Sequence, residues 1–454
     1  MTFPKQIFRA YDIRGIYGEE LTEDIAYRTG RAFAEFIKKD ANKDGIEVVV
    51  ARDMRKSSPS LQQAVIKGII EQGVNVVDIG LASTPTFYFA VAKYGYDGGL
   101  QVSASHNPGE YNGIKLTKAK AMAISGETGI KEIRDMAEKN DFVEATNKGK
   151  VETREGVLAE QIKDAWQFVD KSKIKPLKIV VDTANAMGGP LIEEMFKDLR
   201  CELIKMYFEL DGDFPNHEAD PFKEKNNKAL QAKVLEVGAD LGITTDGDAD
   251  RVFFIDETGR TIEPAIVRGI LAQVFLREYP GAKICYDIRP GKITIDMIEE
   301  AGGVPVVTRV GHSLIKDKAI KEGAVFAGES SGHYYVKSDF GFFERTEVVI
   351  LKFLQEISES GKKVSEYTKP LQKYFHSGEI NFAVEDKKAV FERLKDKYES
   401  NLKYDIDGLS FEFSDFWFNV RASNTENKVR LNLEANSEKT MQEKTEEVRK
   451  IISS

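Results

Sequence analysis

The chain has 454 residues, 41% of them hydrophobic and 31% charged, with a formal net charge of −9. That length exceeds what one core serves, so about three or four domains are expected, folded almost throughout because no long Pro, Gln, Ser or Lys tract occurs. The negative balance excludes nucleic acid or an anionic membrane as main partner, since both demand clustered Lys and Arg; an anionic substrate would then need locally placed positive charge.

Residues 1–6 lack the apolar core of a signal peptide, and nowhere do about eighteen apolar residues run together, so the chain reads as cytoplasmic. Cys201 and Cys285 lie far apart without metal-like spacing. They are expected to be small core residues, not a disulfide or zinc site.

In chain order, residues 21–38 carry apolar positions at helical spacing, and 46–50 read as a buried strand. Ser58-Pro59-Ser60 opens a helix with Leu61, Val65, Ile66, Ile69 and Ile70 on one face. A strand follows at 74–79, a helix at Thr84-Pro85, and a strand over 99–102. This alternation predicts right-handed crossovers and a largely parallel sheet with helices on both faces. The lysine-rich stretch 139–150 closes this unit. A second has strands at 178–182 and 239–244 and a helix from Gly188; a third has a helix over 264–279, strands at 284–288 and 304–307, and 324–326 leading into a polar loop. From about Ser377 the pattern alternates, with Phe411, Phe413, Phe416, Phe418 and Val420 prominent, and ends in an amphipathic helix, which predicts an antiparallel sheet with helices on one face.

Four loops carry candidate chemistry. The strand 99–102 runs into Ser103-Ala104-Ser105-His106-Asn107-Pro108-Gly109. Pro108 lacks an N–H and drives Asn107 extended, so Ser105 stands on a loop at the carboxyl end of a strand, where open α/β sheets place ligands. A Ser-His hydrolase is less attractive, because neighbouring Ser105 and His106 would diverge on an extended backbone.

The second loop has Asp246, Asp248 and Asp250 at alternate positions around Gly247. Three carboxylates so close repel unless they converge on a hard cation such as Mg2+. An EF-hand fails because Arg251 stands where its Gly must be, and a haloacid-dehalogenase nucleophile would want Thr in place of Asp250. The third loop offers Glu329 and Ser331 to sugar hydroxyls, and His333 can exchange a proton near neutral pH. The fourth, Arg421 to Asn427 with Arg430 just beyond, has the guanidinium, hydroxyls and amides that a phosphate requires, through Arg421, Ser423, Asn424 and Thr425. The alternative reading of this loop is an ordinary polar hairpin. Together these loops point to phosphoryl transfer on a sugar phosphate.

The residues resemble the α-D-phosphohexomutase family, in its phosphomannomutase/phosphoglucomutase branch. Beside the loops, the likeness includes residues 7–15, Arg52-Asp53-Met54-Arg55, residues 111–115 and residues 311–316. It implies three related α/β/α units with mixed, largely parallel sheets and a C-terminal α+β domain with an antiparallel sheet, set around a central cleft. The boundaries expected are 1–150, 151–256, 257–368 and 369–454.

The resemblance further implies Ser105 as the phosphorylated residue, and Asp246, Asp248 and Asp250 with Ser105 as Mg2+ ligands. It implies exchange of phosphate between hexose 1- and 6-positions through a hexose 1,6-bisphosphate, which also acts as activator. His106, Lys115, Arg251 and His333 are then expected at the reacting phosphate, and Tyr11, Arg14, Arg289, His312, Glu329, Ser331, Arg421, Ser423, Asn424, Thr425 and Arg430 on the substrate. Asn424 resembles this branch, where phosphoglucosamine mutases more often have Gly.

Departures include Ser103, Ala249, Ser330, Asn427, Arg289 in place of a substrate-contacting Lys, and Glu344-Arg345-Thr346 in place of Asp-Asp-Gly. They leave the preferred sugar open among mannose, glucose and glucosamine. The competing functions are a phosphoglucosamine mutase, a Mg2+-dependent sugar phosphatase and a non-catalytic sugar-phosphate binder. The expected partner is a small hexose phosphate, and the expected assembly a monomer or homodimer.

Overall fold

The computed structural model describes residues 3–289, 291–422 and 428–453. The chain divides into two compact units, Met1–Ile262 with Ser331–Ser365, and Glu263–Ser330 with Glu366–Ser454. The stretch 257–368, expected as one domain, therefore falls on both sides of this division.

In the first unit a seven-stranded sheet runs in the order Ile13–Ile16, Tyr111–Lys118, Gly98–Val102, Glu47–Arg52, Asn75–Leu81, Val151–Thr153, with Met122–Ala123 on the side of Tyr111–Lys118. The alternating segments 47–102 pair in parallel as expected. Tyr111–Lys118 instead returns antiparallel to Gly98–Val102, and Ile13–Ile16 pairs antiparallel with it, so the largely parallel expectation holds for one side of the sheet only. Residues 103–110 thus form a loop between antiparallel neighbours, and the register Gln101↔Lys115 brings Lys115 level with the strand end. Val151–Thr153, expected to open the second domain, adds a parallel edge to this first sheet beside Asn75–Leu81. Its three residues are all exposed, so neither burial nor periodicity marks it in the sequence.

The helices follow local rules. Glu23–Ala41 starts at Thr22, whose side chain accepts from the Ile25 amide, has Glu23 and Asp24 in its first turn, and ends on Asn42 in the left-handed region. Thr84–Lys93 is capped by Ser83, which accepts from the Thr86 amide, and is buried along nearly its whole length. That burial fixes its N-terminus, which matters below.

A second sheet in this unit has the order Val252–Asp256, Leu241–Thr245, Lys178–Asp182, Glu202–Met206. The last three strands are parallel, whereas Val252–Asp256 folds back antiparallel with Thr245↔Val252 in register. Residues 246–251 are consequently the closed end of a hairpin. A further hairpin, Tyr334–Ser338 with Gly341–Glu344, leads into the buried helix Thr346–Ser360.

The second unit contains the parallel strands Val304–Thr308, Lys283–Asp287 and Phe326–Gly328. It also holds a six-stranded antiparallel sheet built on Lys428–Ala435 and Phe416–Ala422. The alternation seen from Ser377 onward has its cause here: Phe411, Phe418, Val420, Leu431 and Leu433 face Val390, Leu394, Val448 and Ile452 of the helices Lys387–Tyr398 and Glu438–Ser453. Among the described residues, no helix is long and apolar enough to cross a membrane. Cys285 is buried as expected, but Cys201 is only half-buried, a correction to its reading as a core residue.

Candidate active site

Ser105 is buried, and its backbone takes φ +50 in the left-handed region. Its amide donates to Ser103 Oγ at 3.0 Å, and its Oγ donates to Asp246 Oδ2 at 2.8 Å. The loop is therefore a tightly curled one, not the extended segment expected. In consequence His106 does not diverge from the serine: its Nδ1 lies 3.3 Å from Ser105 Oγ and 2.9 Å from Arg251 Nη2. Burial, then the neighbouring Arg251 and Arg14 guanidiniums, push the His106 imidazole well below its ordinary range. A neutral ring accepting from Arg251 at Nδ1 is what these neighbours favour.

The three carboxylates come together as their spacing suggested. Asp246, Asp248 and Asp250 are buried at the hairpin end, with one ligand atom of each within 4.8 Å of the others. Gly247 has a second reason beyond a tight turn, because a Cβ there would stand 2.2 Å from the Ser105 carbonyl oxygen. The serine loop and the acidic hairpin thus touch backbone to backbone. Lys115 Nζ lies 2.9 Å from Asp248 Oδ2 and 2.7 Å from Asp250 Oδ2. Against burial, which lowers it, these carboxylates hold the ammonium well above the usual lysine range.

His333 Nε2 is 3.1 Å from Asp250 Oδ1, and its Nδ1 is 3.0 Å from Ser331 Oγ. Burial raises the Asp250 carboxyl, yet Lys115 and His333 outweigh it and hold the group low. Asp246 is pushed up by burial and by its two acidic neighbours.

These acids fit a divalent cation. Asp248 Oδ1 is buried without a hydrogen-bond partner, and Ser105 Oγ stands beside Asp246. An orphaned carboxylate oxygen in an all-oxygen cluster is the donor set a hard cation requires. Arg251 lies over the cluster, its Nε 3.6 Å from Asp246 Oδ2 and its Nη1 3.7 Å from Asp220 Oδ1. Arg14 reaches the serine loop through Nη1, 2.7 Å from Asn107 Oδ1, and is itself paired with Asp12. Tyr11 is half-buried beside that pair in sequence.

Several contacts lacked a sequence signal. Thr84, read only as a helix start, donates Oγ1 to Asp248 Oδ2 at 2.6 Å and its amide to the Asp248 carbonyl at 2.9 Å. Asp220 belongs to the segment 209–222, which has neither helical nor strand period and packs on the serine loop: a Cβ on Gly109 would stand 2.7 Å from the Gly212 carbonyl oxygen. Thr346 Oγ1 donates to the Ala249 carbonyl at 2.8 Å, so the departure at 344–346 supports the acidic hairpin from behind.

In the second unit Arg289 lies against two carboxylates. Its Nη2 lies 2.5 Å from Asp287 Oδ2 and 4.0 Å from Glu329 Oε1. Glu329 Oε1 accepts from the Gly311 amide at 3.0 Å, just before His312 opens the helix His312–Glu322. Ser330 donates Oγ to Asp287 Oδ1 at 2.9 Å. Glu329 is thus in one unit, and Ser331 and His333 in the other. Arg421 Nη2 is 2.9 Å from Glu379 Oε2, and Arg430 Nη1 is 3.5 Å from Glu379 Oε1, so one unanticipated carboxylate serves both arginines. Ser423, Asn424 and Thr425 lie outside the described residues.

Four models of phosphoglucomutase/phosphomannomutase domains match in order: alpha/beta/alpha domains I, II and III over residues 5–144, 158–259 and 265–374, and the C-terminal domain over 379–451. A phosphomannomutase of Vibrio cholerae is 40% identical over 455 residues, covering 98% of each chain, and one of Escherichia coli is 38% identical, covering 96% of each. The crystal structure of a phosphoglucomutase/phosphomannomutase family protein from Burkholderia thailandensis superposes with a TM-score of 0.89 at 32% identity, covering 100% of this chain and 98% of that one. The chain belongs to the phosphoglucomutase/phosphomannomutase family. Its function is that of a hexose phosphate mutase, an isomerase.

Proposed function

We propose that this mutase exchanges phosphate between the 1- and 6-positions of mannose and glucose phosphates, with Ser105 as phosphoryl carrier and Mg2+ on the acidic hairpin. The observation that carries the reading is the buried Ser105 Oγ, set 2.8 Å from Asp246 Oδ2 beside two further carboxylates. The Vibrio cholerae and Escherichia coli relatives, at 40% and 38% identity, are phosphomannomutases, which supports mannose.

In the forward step a sugar hydroxyl oxygen bonds to phosphorus as the bond from phosphorus to Ser105 Oγ breaks, giving a hexose 1,6-bisphosphate. The other phosphate of that bisphosphate then returns to Ser105, and added bisphosphate activates by loading the serine in the same way. The hydroxyl proton needs an acceptor, and the His333 imidazole, placed between Asp250 and Ser331, is assigned that part. Lys115 is held protonated by two carboxylates, so its part is to fix charge, not to abstract a proton. Mg2+, held by Asp246, Asp248, Asp250 and Ser105, would offset charge on the transferring phosphoryl oxygens. Arg251 and Arg14 supply positive charge and hold the serine loop, with His106 neutral between Arg251 and Ser105. Arg421 and Arg430, with Ser423, Asn424 and Thr425, would take the phosphate that is not reacting; Tyr11, Arg289, His312, Glu329 and Ser331 would take the sugar.

The test is a set of coupled assays with mannose 1-phosphate, glucose 1-phosphate and glucosamine 1-phosphate, joined to intact mass after exposure to a hexose bisphosphate. Turnover of the first two with one phosphoryl group gained at Ser105 is expected. A clear preference for the amino sugar would overturn the substrate assignment, and no gain at Ser105 would overturn the carrier. A cytoplasmic monomer or homodimer completes the reading; light scattering after size exclusion reads the assembly.

A further inference from the structure

We infer that Arg55 is the positioning residue that holds Ser105 in its reactive placement, an inference that rests on Ser105 being the phosphoryl carrier. Ser105 has to keep a left-handed backbone that residues with a side chain disfavour, so something must hold the turn. The curl also turns several carbonyl oxygens of the loop toward one point, where they repel unless donors meet them.

Arg55 meets them with every N–H of its side chain. Nη2 donates to the Ser105 carbonyl at 2.8 Å and to the Asn107 carbonyl at 2.6 Å. Nη1 donates to the carbonyls of Pro108 at 2.6 Å and Tyr111 at 3.0 Å, and Nε to Asp53 Oδ2 at 3.2 Å. A guanidinium has five donors in a planar fork, and all five are used here.

The fork is fixed from behind and above. Asp53 Oδ1 accepts from the Arg55 amide at 3.0 Å and from Ser58 Oγ at 2.5 Å, with both Asp53 and Arg55 fully buried. The Phe214 ring covers the guanidinium carbon at 5.0 Å, on the segment 209–222 that also presses Gly212 against Arg55. Arg55 bonds no side chain of the acidic hairpin and has no route to a reacting atom. What it sets is the place of the Ser105 carbonyl, and through it the reach of Oγ to Asp246. Lysine has three donors on a flexible stem and cannot reproduce the fork.

The experiment compares wild type, Arg55→Lys and Phe214→Leu, all with Mg2+. It follows the rate at which Ser105 gains a phosphoryl group from glucose 1,6-bisphosphate by intact mass, together with kcat, KM and Tm. Displacing the nucleophile by about an ångström costs on the order of a hundredfold in rate. Arg55→Lys should therefore lose about that factor in both serine phosphorylation and kcat per folded molecule while KM stays within about threefold, the folded fraction at the assay temperature being read from the unfolding curve that gives Tm. Undiminished phosphorylation in Arg55→Lys, or a change confined to KM, overturns the inference. Should Arg55→Lys not fold, Phe214→Leu decides: a several-fold slower phosphoryl gain at unchanged KM supports the role, and an unchanged rate overturns it. If wild type itself gains no phosphoryl group, the carrier assignment fails and takes this inference with it. If wild type and Arg55→Lys gain it equally fast, only the role of Arg55 fails.

Discussion

The two units handle buried charge in opposite ways. In the first, three carboxylates at the hairpin end share one ammonium, Lys115, and one guanidinium, Arg251, and an Asp248 oxygen is left over. In the second, among the described residues, buried Arg421 and half-buried Arg430 share the carboxylate of Glu379. Burying unequal numbers of opposite charges is unfavourable unless a ligand completes the count. An excess of acid suits a cation, and an excess of guanidinium suits a phosphate. The sign of the surplus, not the presence of charge, tells the two sites apart.

The largest test of this contrast is at the first site. Ser105→Ala should lower kcat at least about a thousandfold, because it removes the oxygen proposed to carry the phosphoryl group. The loss of one buried hydrogen bond to a carboxylate should change unfolding free energy by about 1–3 kcal/mol. Activity near that of wild type would mean that phosphate travels by another route.

Asp248→Asn tests the surplus of acid. Turnover should fall by roughly two to three orders of magnitude, as for loss of a transition-state charge partner. Mg2+ at about 100 times its Kd should stabilise wild type by ~2.7 kcal/mol, and chelation should remove that gain together with activity. A Tm that ignores Mg2+ in wild type would show that Lys115 and Arg251 already satisfy the acids.

At the second site the effect should be smaller and of another kind. Arg421→Ala removes one of two guanidiniums and should raise KM about tenfold, with Ser105 still accepting a phosphoryl group from bisphosphate. Unchanged KM and kcat would mean that the arginines only fasten Glu379 into the sheet.

Glu434, also in the second unit, supplies a control that should leave turnover alone. Its buried carboxyl accepts from the amides of Gly291 at 3.1 Å and Lys292 at 3.0 Å and from Trp417 Nε1 at 2.7 Å. Burial nevertheless pushes it up to about 7 from an ordinary 4.5. A folded-state value above the unfolded one means a stabilising contribution that is complete below pH 4.5 and lost as pH rises through about 7. Between pH 5 and 8 wild type should therefore lose up to roughly 3 kcal/mol that Glu434→Gln does not lose. Parallel Tm curves for the two proteins across that range would remove Glu434 as the cause.

Much of the contrast was written in local sequence. Asp246, Asp248 and Asp250 lie within five positions of one another, and a hairpin is a local structure, so their convergence could be read directly. The alternation of Phe411, Phe418 and Val420 likewise reports one buried face. What escaped depends on distant partners. Thr84 meets Asp248 across 164 positions and Arg421 meets Glu379 across 42, and no period or propensity encodes such pairs. The antiparallel return of Tyr111–Lys118 was missed because a strand buried at nearly every position carries no alternation to orient it. The curl at Ser105 was missed for a related reason: Pro108 argues locally for an extended chain, and Arg55, far upstream, overrules it.

The backbone contact between Gly247 and Ser105 bears on the order in which the molecule is assembled. Ser105 and Asp246 are separated by 141 positions and Lys115 and Asp250 by 135, so each half of the site is made by its own sheet long before the halves can meet. Closing such long loops comes late. Loosening that backbone contact would dismantle the site while both sheets and their helices persist. In rising urea, turnover should therefore vanish at a lower concentration than the far-ultraviolet helix signal. Coincident midpoints would mean that the two sheets fold and fail as one.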